Sequence, residues 1–241
     1  MNTKETFPET PKKASMRRKW GIYNSHIDDY LFDFEQADTE HKVQNMFSRL
    51  GDGSIKDPVV IDLMASKKAL SDIHKNYNVP TKGLLAVGTN FELWDKISYI
   101  RGDLNKKRTW KRMNHWLGER KANVIMSRGY QALDYIPTTL FYQRKVLSEM
   151  WDMADDDGGL LILQSPSKEV LKDRGIPLDA WLDQLKTAGI YSNFSDMLSS
   201  SDNPDHRYGR LILEKNPNTP YLPDIESSDA RLVTRGSKSS T

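Results

Sequence analysis

The stretch Pro58-Val-Val-Ile-Asp-Leu-Met-Ala-Ser66 passes from β-branched apolar residues to a carboxylate and small side chains. Residues 67–77 behind it have helical character, with Leu70, Ile73 and Tyr77 on one face. A short apolar run of this kind reads as a buried strand turning into a helix. In open α/β sheets, ligands bind beyond the carboxyl ends of the strands. If this is the first strand, Asp62, Leu63, Met64, Ala65 and Ser66 stand at the mouth of a site.

Downstream, Gly-Leu-Leu-Ala-Val-Gly at 83–88 reads as a second buried strand, and the alternating Lys-Ile-Ser-Tyr-Ile-Arg-Gly at 96–102 as a third. Asn-Val-Ile-Met-Ser at 123–127 makes a fourth, and the unbroken Leu-Leu-Ile-Leu at 160–163 a fifth, buried on both faces. Between them the spacing predicts three helices. The first, residues 105–121, buries Trp110, Met113, Trp116 and Leu117; the second carries Phe141, Val146, Leu147, Met150 and Trp151; the third carries Leu178, Trp181, Leu182 and Leu185 and stops at Gly189. Residues 190–194 and 208–214 read as two final strands. The polar loop 199–206 is too short for a crossover helix, so this pair is antiparallel. Upstream, residues 25–50 are helical, with Asp38, Thr39 and Glu40 capping a helix that starts near Thr39, and Gly51 and Gly53 ending it.

The 241 residues suffice for one α/β domain with extra segments at its ends, and 37% hydrophobic with 28% charged residues suits a globular protein. We divide the chain into a flexible basic arm (1–24), the α/β domain with its helical lead-in (25–217) and a tail (218–241) that wraps the surface or stays disordered. The absence of cysteine excludes disulfides, thiolate metal sites and cysteine nucleophiles. A net charge of +2 does not by itself call for a nucleic-acid partner. No run approaches the ~20 apolar residues of a membrane span, and the polar N-terminus lacks the apolar core of a secretory signal. The expectation is a cytoplasmic protein with no membrane partner.

Five strand-helix units closed by an antiparallel pair resemble the class I methyltransferase fold that binds S-adenosylmethionine. The resemblance spans residues 25–217. Residues 59–62 resemble the family's first motif strand with its terminal acid, residues 155–163 the polar turn and Gly-Gly before the fifth strand, and residues 190–214 the terminal hairpin. It implies a Rossmann-like α/β fold: a seven-stranded, mostly parallel sheet with an antiparallel terminal hairpin and helices on both faces. It further implies a cofactor side formed by Asp62, Leu63, Met64, Ala65, Ser66, Gly88, Thr89, Asn90, Asp103 and Leu104, with S-adenosylmethionine as cofactor, no metal, and methyl transfer to an unknown acceptor. Ser127, Arg128, Gly129 and Tyr130 fall where that family sets substrate-orienting residues, and Ser127, Arg128 and Tyr130 are the catalytic candidates. Two departures stand out. The glycine-rich loop after the first strand is replaced by Leu63, Met64, Ala65 and Ser66, and the acid after the second by Gly88, Thr89 and Asn90. A divergent enzyme and a fold that has lost its cofactor both accommodate them.

Each candidate has a purely structural counterpart. Asp62 caps the following helix as readily as it holds a ligand. Ser127 to Tyr130 also read as a turn with a solvent-facing Arg. His26, His41, His74, His115 and His206 show no metal-ligand spacing. The segment with Lys106, Lys107, Arg108, Lys111, Arg112, Arg120 and Lys121 against the single acid Glu119 either faces nucleic acid or is an amphipathic helix with a cationic outer face. The second reading is favoured, because both tryptophans fit the buried stripe. The first reading gives the rival to the enzyme, a non-catalytic module of the same fold that binds nucleic acid or a protein through this helix and the basic arm.

Overall fold

The computed structural model describes residues 37–63, 67–88, 96–127, 140–173, 175–197 and 208–225. In chain order the elements are α1 (Ala37–Gly51), β1 (Val60–Leu63), α2 (Lys67–Tyr77), β2 (Leu84–Gly88), β3 (Ser98–Arg101), α3 (Lys107–Leu117) and β4 (Val124–Ser127). There follow α4 (Leu140–Met153), β5 (Leu160–Pro166), α5 (Lys168–Asp173), α6 (Leu178–Thr187), β6 (Tyr191–Met197) and β7 (Tyr208–Glu214).

The strands form one seven-stranded sheet in the order β3-β2-β1-β4-β5-β7-β6. β1 to β5 are mutually parallel, and β7 runs antiparallel to both β5 and β6. This is the Rossmann-like architecture expected from the sequence. β2 and β3 lie on one side of β1, and β4 and β5 on the other, so the winding reverses between β1 and β4. Such a reversal opens a crevice at the carboxyl ends of the two strands.

Alternation along the strands divides the core into two layers. Ile61, Leu63, Leu85, Val87, Ile125, Leu161 and Leu163 face Trp110 and Met113 of α3, Val146, Leu147 and Met150 of α4, and Leu178, Trp181 and Leu185 of α6. Val60, Leu84, Ala86, Val124, Met126, Leu160 and Ile162 face Val43, Met46, Phe47 and Leu50 of α1 and Leu70 and Ile73 of α2. The run at 160–163 thus feeds both layers, as its continuous hydrophobicity demands.

The helix expected to begin near Thr39 and end at Gly51 is α1, Ala37–Gly51, and the buried Thr39 hydroxyl lies 2.7 Å from the Tyr191 hydroxyl of β6. Three expectations need correction. β5 continues beyond Leu163 because β7 prolongs its ladder, pairing Gln164 with Arg210 and Ser165 with Gly209. The short helix α5 is absent from the sequence reading, its six residues carrying too few apolar positions to show a period. Trp116 is half-buried, whereas Trp110, Met113 and Leu117 are buried. The arm 1–24, residues 25–36, the side chain of Phe141, the loop 199–206 and residues 226–241 lie outside the described residues.

Residues 216–225 follow β7 across the layer of α4 and α6. The Trp151 indole donates to the Thr219 carbonyl at 3.1 Å, the Trp181 indole donates to the Pro223 carbonyl at 2.8 Å, and Ile225 is buried. Trp181→Phe keeps most of the apolar surface and deletes the donor. It is expected to cost about 1 kcal/mol and to speed amide exchange at Leu222 and Asp224; unchanged exchange there would show that the indole does not fasten this segment.

Candidate functional site

The register decides which side chains meet at the crevice. Leu63 lies between Val87 of β2 and Ser127 of β4, and Asp62 between Ala86 and Met126. Gly88 stands one step further along β2, opposite Arg101, and its carbonyl accepts the Gly102 amide at 2.8 Å. Asp62, Leu63, Gly88 and Ser127 therefore share one edge of the sheet, with Asp103 just beyond β3.

Asp62 is a paired residue inside β1 and is fully buried, which removes the helix-cap reading. Its neighbours Ala86 and Met126 belong to the layer under α1 and α2, so the carboxylate faces that layer too. Keeping a carboxylate out of water costs several kcal/mol unless it is compensated. Such a residue is retained where its charge or hydrogen-bonding capacity is used.

Gly88 follows Ala86 on the same face. A β-carbon there would stand 3.4 Å from the Tyr99 hydroxyl, so the glycine leaves the end of β2 open to that side chain. Leu63 is fully buried in the opposite layer. Ser127 also points to that opposite layer, since it pairs laterally with Leu63 and Leu163. Its hydroxyl is buried and has no hydrogen-bond partner among the described residues. Asp62 and Ser127 thus flank the crevice from opposite faces of the sheet.

Asp103 and Leu104 shape the turn from β3 into α3. An Asp103 carboxylate oxygen accepts the Asn105 amide at 2.9 Å, its carbonyl accepts the Thr109 hydroxyl at 2.6 Å, and the Leu104 carbonyl accepts the Trp110 indole at 2.7 Å. Met64, Ala65, Ser66, Thr89, Asn90, Arg128, Gly129 and Tyr130 lie outside the described residues, as do His26 and His206. Among the described residues no group of three or more His, Cys, Asp or Glu is placed to hold a metal ion.

Two residues at this edge escaped the sequence reading. Tyr99 sits against Gly88 and shares the strand phase of the buried Ile97, so an aromatic in that phase is the available signal. Arg210 of β7 is 2% exposed, opposite Gln164 and Ser195 and two residues before Ile212, on the face that carries Asp62. A lone cation inside Tyr-Gly-Arg-Leu-Ile-Leu was the available signal.

On α3, Lys107, Arg108, Lys111 and Arg112 are exposed, as are Lys106 before it and Lys121 after it. The half-buried Trp116 ring carries the Arg120 guanidinium 4.8 Å from its centroid. No described helix is long and apolar enough to cross a membrane.

No protein-family model matches the sequence, and no curated protein matches it. Solved structures do. An rRNA methylase from Streptococcus thermophilus is 11% identical over 76% of this chain and 99% of its own, with a TM-score of 0.46. The N-methyltransferase NodS from Bradyrhizobium japonicum, in complex with S-adenosylhomocysteine, is 12% identical over 82% of this chain and 98% of its own, with a TM-score of 0.47. The plantazolicin methyltransferase BpumL, also in complex with S-adenosylhomocysteine, is 11% identical over 85% and 98%, with a TM-score of 0.44. These are similarities of chain path; the fold assignment stands on the strand order and register.

Proposed function

We propose that this protein is an S-adenosylmethionine-dependent methyltransferase with its cofactor at the crevice between β1 and β4. The observation that carries the reading is the fully buried Asp62 at the carboxyl edge of β1, beside the reversal of the sheet. The residues suit such a ligand. A carboxylate at that edge accepts hydrogen bonds from amino or hydroxyl groups, and charge-assisted bonds are the strong ones. Gly88 leaves room at the end of β2. The buried Ser127 hydroxyl stands on the other side of the crevice.

When bound, the cofactor supplies an electrophilic methyl group. The chain's own task is then positioning, which by itself accounts for much of the barrier lowering in group transfer. In this reading Asp62, Leu63, Met64, Ala65, Ser66, Gly88, Thr89, Asn90, Asp103 and Leu104 form the cofactor side. Ser127, Arg128 and Tyr130 orient the acceptor. A cysteine-free chain also accords with a reducing cytoplasm.

The test is calorimetric titration with S-adenosylmethionine and S-adenosylhomocysteine. Saturable micromolar binding is expected. Asp62→Asn, which keeps the shape and removes the charge, is expected to weaken it by about 10- to 100-fold. Equal affinity of wild type and Asp62→Asn, or no binding at millimolar ligand, would overturn the reading.

The exposed cations of α3 favour a second reading, a non-catalytic module of this fold that binds nucleic acid through residues 106–121. It predicts salt-sensitive binding that is indifferent to Asp62.

A further inference from the structure

Between β3 and α3 lies a surface groove of about 480 Å³, lined by Ile100, Arg108, Lys111, Arg112, His115 and Trp116. We infer that this groove binds a single-stranded segment of nucleic acid, its phosphates on Arg108, Lys111 and Arg112 and a base against Trp116 and Ile100. The inference rests on the basic-helix reading and sharpens it to one site; it does not depend on the cofactor.

The helix is built for two partners. Trp110, Met113 and Leu117 recur at i, i+3 and i+7 and are buried under the sheet. Arg108, Lys111, Arg112 and His115 recur at i, i+3, i+4 and i+7, which gathers them on a second face along the groove. No acid occurs within α3, and among the described residues none of Arg108, Lys111 and Arg112 is ion-paired. Three cations so close repel one another, and a polyanion relieves that repulsion.

The geometry restricts the polyanion. The Arg112 guanidinium donates to the Arg101 carbonyl at 2.6 Å, which holds it at the end of β3 instead of leaving it to sweep through solvent. Ile100 and the part of the Trp116 ring that Arg120 does not cover add apolar wall beside the cations. Groove volumes of ~300–1,000 Å³ suit small organic groups, so at about 480 Å³ there is room for a base. Strand binders without sequence preference combine such a basic track with an aromatic surface. An acidic peptide satisfies the cations and leaves the apolar wall unused.

The experiment uses the full chain and fluorescein-labelled U10, dT10 and a ten-residue polyglutamate, titrated by anisotropy between 50 and 200 mM salt. These salt limits are about those over which phosphate contacts lose their strength. Saturable binding of either oligonucleotide is expected, with log K falling against log salt at a slope of about −2 for three contacts at ~0.7 each. Arg108→Gln/Lys111→Gln is expected to weaken binding at least tenfold and to flatten the slope by about 1.4, two contacts at ~0.7 each. Lys106→Gln/Lys107→Gln removes the same charge away from the groove and is expected to change affinity less than about threefold, as screened long-range attraction does. Trp116→Phe, which keeps an aromatic, is expected to retain binding better than Trp116→Leu. Equal losses from the two charge pairs would overturn the groove and leave nucleic-acid binding by the helix standing. Polyglutamate binding as tight as the oligonucleotides would replace the ligand by an acidic protein, and absence of any binding at the lowest salt would overturn both the groove and the basic-helix reading.

Discussion

Gly51→Ala is expected to destabilise the protein by about 3 kcal/mol or more, the upper range for forcing atoms into a packed site. At this chain length that lowers Tm by roughly 6–12 °C. Gly51 ends α1, and a β-carbon on it would stand 1.6 Å from the Tyr77 carbonyl oxygen and 2.7 Å from the Tyr77 carbonyl carbon at the end of α2. Both obstacles are backbone, so no rotamer change relieves the clash; the two helices must part. They share Val43, Met46, Phe47, Leu50, Leu70 and Ile73 in one apolar layer, and the Phe47 and Tyr77 rings lie 5.3 Å apart. Separation therefore loosens packing over the whole of that face. Gly53 is the internal comparison: it has φ +86° and no heavy atom within 4 Å of its would-be β-carbon. Gly53→Ala is expected to cost only about 1 kcal/mol, from backbone strain. Thermal melts of the two variants decide the matter, and a Gly51→Ala Tm within 2 °C of wild type, a shift worth less than about 1 kcal/mol, would show that the backbones do not touch.

Lys215→Met is expected to cost about 2–3 kcal/mol, the range for stranding buried acceptors of a charged donor. The Lys215 ammonium donates to the Trp151 carbonyl at 2.8 Å and the Ala154 carbonyl at 3.3 Å, and it pairs with Asp156 at 2.7 Å, while its side chain is 4% exposed. Helices end with carbonyls that lack partners and with negative dipole character. A buried cation answers both at the end of α4. Methionine fills the space, takes the donor from the Ala154 carbonyl and leaves the Trp151 carbonyl with the Ala154 amide at 3.2 Å alone. Denaturant unfolding measures the loss, and a value under about 1 kcal/mol, that of one ordinary hydrogen bond, would make the contacts incidental.

The same pair sets a pH dependence. The hydrogen bond from Lys215 is the main cause holding the Asp156 carboxyl below its ordinary value of 3.8, with the lysine's charge adding to it. A depressed carboxylate contributes stability above its unfolded value and loses it as pH falls through the lower folded value. Lys215→Met is expected to abolish that acid-side loss below pH 3.8. The effect is small, because Asp156 is largely exposed and screened.

The sheet was legible because its strands are short apolar runs punctuated by glycine. Residues 58–63, 83–88 and 160–163 announce burial by composition, and the polar loop before Tyr208 announces the antiparallel return. What sequence could not supply was lateral position. Nothing in Tyr-Gly-Arg-Leu-Ile-Leu says that β7 enters between β5 and β6, nor that Arg210 will be buried on the face carrying Asp62. The candidate site was partly legible for the same reason. Asp62, Leu63, Gly88 and Ser127 were found as strand ends, and the register brings them to one edge. The opposite facing of Asp62 and Ser127 follows from the pleat relative to the helical layers, which a reading of separate segments did not establish. Trp116 is only half-buried because it stands at the edge of the roughly 120° arc that an i, i+3, i+6, i+7 series spans.

The position of β7 also bears on how the chain is made. Among the described residues β6 has only β7 as a neighbour in the sheet, and β7 leaves the ribosome after it. While Tyr208–Glu214 is still in the exit tunnel, Tyr191–Met197 has emerged with no strand to hold it, and β5 presents an open edge along Leu160–Pro166. Unpaired apolar edges are where nascent chains stick to one another. A pause in translation that holds Tyr208–Glu214 inside the tunnel would prolong that exposure, which ends when this strand pairs between β5 and β6.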